Sequence, residues 1–231
     1  MNVTAVGLVE RVEEVRARVA AAGGDPERVK LVAVTKGFGA EVAAEALAAG
    51  LTELGENYAQ ELLAKAASDE VSQAVAAAGT PVHWHFLGPP QRNKIARLAP
   101  VVSLWQGIDR PAAAAKLAAV RPGAPIMIQV NVVGDPAKTG CPPAEVTGLV
   151  DEARRQGLDV QGLMCVGPAD DPQGAQNAFA ALARMARHVG VQELSMGMSD
   201  DFELAVREGS TMIRLGRTLF GPRPGGKRVR R

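Results

Sequence analysis

Short runs of β-branched and other apolar residues, each closed off by turn residues, return eight times along this chain, with helical stretches between them. Strands alternating with helices read as βαβ units, which build a parallel sheet. The runs are Leu31–Thr35, Thr52–Gly55, Val82–Leu87, Val102–Gln106, Ile126–Asn131, Gln161–Cys165, Glu193–Ser195 and Met212–Leu215. Between them helices are predicted over Glu41–Ala49, Tyr58–Ala78, Gln91–Leu98, Pro111–Val120, Pro143–Gln156, Pro172–His188 and Asp201–Glu208, and an extra amphipathic helix, about Val3–Ala22, precedes the first strand. Proline opens several of these helices, and Gly50, Gly157, Gly190 and Gly209 follow helices where a left-handed cap is expected. Eight strands with their helices in 231 residues predict an α/β fold, a single (β/α)8 TIM barrel. A doubly wound open sheet is the alternative arrangement of the same units.

Residues 1–224 read as one barrel domain, and 225–231 as a flexible basic tail. The tail reads as a frayed, solvated end rather than a nucleic-acid patch, since a net charge of +1 supplies no global attraction to nucleic acid or membrane. No apolar stretch approaches the roughly 20 residues that span a bilayer. The N-terminus mixes Glu10, Arg11, Glu13 and Glu14, unlike a signal peptide. The two cysteines, Cys141 and Cys165, have neither disulfide-framework nor CxxC spacing, so the expected setting is cytoplasmic and reduced.

A barrel assembles its site from residues at the carboxyl ends of different strands. The first such end carries Lys36, an amine just past Leu31–Thr35 and ahead of Gly37, placed to form a Schiff base. After the second strand come Glu56, Asn57 and Tyr58; after the seventh, Ser195–Asp201; after the eighth, Gly216, Arg217 and Thr218. Loops seven and eight are where barrels commonly hold phosphate, and here Gly216 permits close backbone approach while Ser199 and Thr218 offer hydroxyls. An amine facing a phosphate cradle supplies the two anchors that pyridoxal 5′-phosphate (PLP) requires, and PLP is the expected cofactor. His83 and His85 share a strand face, but no third ligand stands at metal spacing, so no metal is expected.

Ala33–Lys36, Gly55–Glu61, Trp84–Gly88, Gln91–Lys94, Leu194–Asp201 and Gly209–Gly216, in this order, resemble the pyridoxal phosphate homeostasis proteins (the YggS/PROSC family), which carry the barrel of the alanine racemase N-terminal domain. The resemblance runs essentially end to end. It implies a PLP-binding protein of vitamin B6 homeostasis with no established catalytic turnover. Lys36 would be the Schiff-base lysine, with Ser199, Gly216 and the amide of Arg217 on the phosphate. Arg214 would face the pyridine nitrogen; as a permanent donor it would leave that nitrogen unprotonated and weaken the electron sink. Arg217 stands where many relatives have a small hydroxyl residue, so its guanidinium replaces that contact or the contact shifts to Thr218. Phe38 stands where relatives often have a second lysine; Lys138 remains a further amine for hand-over.

Other roles stay open for several residues. Ser199 also precedes a helix it could cap, with Asp200 and Glu203 as a capping-box pair; Arg214 could be a buried ion-pair partner; Asn57 either caps the long second helix or touches the ring; Tyr58 is expected to pack at that helix start. The function class opposed to a carrier is an amino-acid racemase of the alanine racemase type. That chemistry needs a second acid/base on the opposite face of the cofactor, a tyrosine that in alanine racemase comes from a C-terminal domain of the partner subunit. No such domain is expected after the phosphate motif of this chain, and no catalytic residue is assigned. The expected partners are PLP and apo PLP-dependent enzymes, and a monomer is the simpler expectation.

Overall fold

The computed structural model describes residues 4–223. Residues 1–3, residue 224 and the basic tail expected from 225 onward lie outside the described residues. In chain order the elements are α1 (Ala5–Ala21), β1 (Lys30–Val34), α2 (Ala40–Ala48), β2 (Glu53–Glu56), α3 (Ala59–Ala66), α4 (Asp69–Ala78), β3 (His83–Phe86), α5 (Ile95–Leu98) and β4 (Val102–Ile108). There follow α6 (Pro111–Val120), β5 (Pro125–Gln129), α7 (Val146–Arg155), β6 (Asp159–Met164), α8 (Pro172–Val189), β7 (Glu193–Ser195), α9 (Phe202–Arg207), β8 (Met212–Leu215) and α10 (Arg217–Phe220). The strands pair in parallel in chain order and β8 returns to β1, Val32 opposite Arg214, so the eight-stranded barrel is closed and the open-sheet alternative falls away.

Strand alternation sorts side chains into two cores. Val32, Val34, Leu87, Leu104, Met127, Met164 and Met212 fill the barrel interior, while Ala33, Leu54, Trp84, Trp105, Ile213 and Leu215 belong to the larger layer between barrel and helices. Helix α1 completes the outer ring. Its buried residues Leu8, Val12, Val15 and Val19 recur every three or four positions and face α2, α9 and α10. Burying four such side chains is worth on the order of 6–12 kcal/mol before chain entropy is counted. Thr4 caps the helix by accepting from Gly7 N, and Arg18 pairs with Glu203 while lying 4.5 Å over the Phe202 ring. β7 and β8 share a single register pair, Ser195 with Met212, and a side chain helps to stitch them: Leu194 N donates to Thr211 Oγ1 at 2.8 Å.

The helices depart from expectation at three places. The helix predicted over Tyr58–Ala78 is two helices, because Ser68 takes an extended conformation and its hydroxyl accepts from Val71 N, starting α4 with Asp69 and Glu70 in its first turn. Only Ile95–Leu98 of the stretch Gln91–Leu98 is helical; residues after Pro89–Pro90 form a turn closed by Lys94 N on Gln91 O. A short helix, α10, follows β8 directly where none was expected. Its Phe220 meets the Phe38 ring edge-on at 5.7 Å, tying the loop after β1 to the end of the barrel.

Candidate functional site

Lys36 lies two residues beyond Val34 and so continues the inward face of β1 into the barrel mouth. It is half-buried. Burial, then the charges of Arg223 and Arg214, hold its amine below the ordinary lysine value of 10.5, against the opposing pull of Glu56 and Glu61. A larger neutral fraction near neutral pH makes the amine a better nucleophile. Arg223 sits close by: a Cβ on Gly37, whose φ is 76°, would meet its Cδ at 3.0 Å.

Behind Lys36, on the outward face, a charged cluster fixes the turn. Thr35 Oγ1 donates to Glu56 Oε1 at 2.6 Å, Lys65 Nζ donates to Thr35 O at 2.7 Å and ion-pairs with the same carboxylate, and Gly37 N donates to Glu61 Oε2 at 2.7 Å. Glu56 and Lys65 are both buried, and burial raises the Glu56 carboxyl above its ordinary value although Lys65 and Thr35 oppose this. The sequence reading assigned these residues no role; a glutamate and a lysine nine positions apart look like a solvated pair until β2 and α3 are packed together.

Across the mouth, the loop after β7 meets the N-terminus of α10. Ser199 Oγ accepts from Thr218 N at 3.2 Å, so Ser199 caps α10 rather than α9. The Asp200–Glu203 capping box does not form: Asp200 pairs with Arg217, Glu203 pairs with Arg18, and the α9 cap residue is Asp201, whose Oδ1 accepts from Met198 N. Gly216 packs closely on β1: a Cβ there would stand 3.1 Å from Val34 O, tighter than an ordinary contact by a few tenths of an ångström. The amide of Arg217, first in its helix, has no intrahelical acceptor. Its guanidinium is held at the surface by Asp200 in an exposed pair of the kind worth about 0–1 kcal/mol.

Arg214 lies within the barrel, 5% exposed, where NH1 donates to Ser195 Oγ at 2.6 Å and NH2 to Cys165 O at 2.8 Å. Among the described residues no carboxylate pairs with it, so its ion-pair alternative is not realised there; burial lowers its pKa, and Cys165 and Asp201 act the other way. Asn57 does not cap α3. The cap residue is Tyr58, without a side-chain bond and 61% exposed instead of packed, and Asn57 Oδ1 is buried with no partner. A glycine at the turn and the free Arg217 amide at the helix start fit an anionic group, and the orphaned Asn57 oxygen marks a polar site open to a donor. Lys138 Nζ donates to Gly167 O at 2.7 Å, on the rim formed by the loops after β5 and β6. Both cysteine thiols are buried and pushed up to about 12 by burial. Among the described residues no group of three or more His, Cys, Asp and Glu could hold a metal, and no helix is long and apolar enough to cross a membrane.

The family of the alanine racemase N-terminal domain matches residues 9–224. A pyridoxal phosphate homeostasis protein of Pseudomonas aeruginosa is 38% identical over 98% of this chain and 98% of its own length. Another, from Deinococcus radiodurans, is 41% identical over 89% of this chain and 95% of its own. Among solved structures, PipY of Synechococcus elongatus with PLP bound is similar at a TM-score of 0.77 and 31% identity, covering 93% of this chain and all of that one.

Proposed function

Because this chain belongs to the pyridoxal phosphate homeostasis proteins, we propose that it holds PLP covalently through Lys36 and serves the intracellular pool of that cofactor, without turning over a substrate. The observation that carries this reading is the half-buried Lys36 amine, held below its ordinary pKa in a mouth it shares with Arg214 and the Ser199–Gly216 cradle. When bound, the cofactor supplies an aldehyde that condenses with an amine and a ring that withdraws electrons. Lys36 provides the neutral amine. Ser199, Gly216, the Arg217 amide and Thr218 take the phosphate, with the Arg217 guanidinium kept outside by Asp200. Arg214 would donate toward the ring nitrogen, which as the acceptor would stay unprotonated. Asn57, whose buried oxygen has no partner, would touch the ring.

The same surroundings speak for storage over racemisation. A racemase needs an acid/base on the face opposite the lysine, and Tyr58, the chain's one tyrosine, stands out in solvent. A cytoplasmic monomer that gives PLP up to apoenzymes is the corresponding cellular role. Wild-type protein is expected to be yellow and to retain a borohydride-trapped adduct that Lys36→Ala loses; equal trapping by the variant removes the assignment. Incubation of the loaded protein with L-alanine or L-serine in deuterium oxide separates the two function classes. Exchange with inversion at the α-carbon at enzyme-like rates overturns the storage reading.

A further inference from the structure

TIM-barrel interiors are normally filled by branched apolar side chains, yet here a line of polar groups crosses the interior between Val32, Leu104, Met127, Met164 and Met212. It begins at Arg214 and ends at Glu53, near the amino end of β2. Ser195 Oγ lies 2.6 Å from Gln106 Oε1, Gln106 Nε2 lies 2.7 Å from His85 Nδ1 and 3.0 Å from Met212 Sδ, and His85 Nε2 lies 2.5 Å from Glu53 Oε2. Gln106 and Ser195 are fully buried and His85 is 2% exposed.

The direction of every bond follows from its first member. A guanidinium can only donate, so Ser195 accepts from Arg214 and spends its one hydrogen on Gln106 Oε1. The other end of the amide carries two hydrogens and faces two acceptors, Met212 Sδ and His85 Nδ1. Nδ1 is therefore bare, and the imidazole hydrogen sits on Nε2, directed at the Glu53 carboxylate. Donation runs one way, from Arg214 through Ser195, Gln106 and His85 to Glu53. Such a line is tolerable in an apolar interior only when every member is satisfied, and only one amide orientation and one imidazole tautomer satisfy all of them.

We propose that Gln106 and His85 are positioning residues for Arg214. They fix the Ser195 hydroxyl, and through it the plane in which the guanidinium meets the ring of a bound cofactor. The proposal rests on the reading that Arg214 faces PLP, and it places two determinants of that contact far below the mouth.

Two variants and two readouts test it. Gln106→Glu keeps the shape and the acceptor for Ser195 but offers His85 a second acceptor, so the ring must take up a hydrogen on Nδ1 while Nε2 keeps its own toward Glu53. Gln106→Met removes the bonds to Ser195, His85 and Met212. In cofactor-free protein, ¹⁵N NMR of the His85 ring is expected to show a bare Nδ1 in wild type and a protonated Nδ1 in Gln106→Glu. In loaded protein, both variants are expected to keep the borohydride-trapped adduct on Lys36 while binding PLP about tenfold more weakly, with a displaced visible absorption band. A role in packing alone would lower the melting temperature and leave band and affinity unmoved. A protonated Nδ1 in wild type overturns the proposal, as does wild-type affinity and spectrum in Gln106→Met, or in Gln106→Glu where the methionine variant fails to fold. A wild-type protein that takes up no PLP sinks the functional reading, and the NMR comparison still decides the direction of the line.

Discussion

Burial, and then charged neighbours from separate parts of the chain, lower the Lys36 pKa, and the neighbours' contributions can be removed one at a time. Arg223 opposes protonation of the amine, so Arg223→Ala is expected to raise the Lys36 pKa toward its ordinary value. Adduct formation near pH 7 should slow several-fold and converge with wild type at alkaline pH, read by stopped-flow absorbance. Lys65 is buried against Glu56, so Lys65→Met strands a buried carboxylate and is expected to cost about 3–5 kcal/mol by denaturant titration, less when Glu56→Gln is added. For Glu53, burial alone would raise the carboxyl, but the His85 hydrogen bond and nearby charges hold it below 4.5. A depressed carboxyl stabilises the fold above the unfolded value and loses that contribution as pH falls through the folded value. Glu53→Gln should therefore flatten the acid limb of a stability profile. That Lys36 would stand at the barrel mouth and Arg214 inside the barrel was legible because each is a lone charge next to or within an apolar run. Arg223 was hidden beside the basic tail that follows it, and the Glu56–Lys65 pair by a helix whose charges read as a solvated face.

The strands were legible to within about two residues at most ends, since a parallel barrel strand is a short apolar run and the barrel leaves few other places for one. Helix boundaries were less so. The break between α3 and α4 rests on one hydroxyl, and Ser68→Ala is expected to cost about 1 kcal/mol while lowering helical signal near α4. The site half of α10 was missed because four residues after a strand carry no periodicity to read. At the upper ends of β2, β3 and β4 the backbones touch: a Cβ on Gly88 would stand 2.3 Å from Asn57 O, and one on Gly107 2.2 Å from Gly88 O. Gly107→Ala must push these strand ends apart, with an expected cost of about 1–3 kcal/mol and, since Asn57 is carried by the same stack, weaker PLP binding by titration.

Eight strands could be counted in the sequence, but closure depends on a register that no single segment encodes, the pairing of β8 back onto β1. A ligand bound only by the folded chain shifts the folding equilibrium of the entire barrel, so at a free concentration one hundred times its dissociation constant PLP should add about 2.7 kcal/mol. A melting temperature raised by several degrees in wild type, and not in Lys36→Ala, is the expected result. The wall between β7 and β8 has a kinetic consequence. It has a single register pair, the fewest of any two neighbouring strands, with the Leu194 amide bound to a threonine hydroxyl and three backbone bonds, from Thr211, Met196 and Arg214 N, across it, and both strands end at the proposed phosphate cradle. Native-state hydrogen exchange should find the lowest opening free energy among the strands there, at Leu194 and Met196, and slower exchange along β4 and β5. Departure of a bound phosphate would then be gated by the breathing of this wall, and tightening the seam should lengthen residence time more than it raises the association rate.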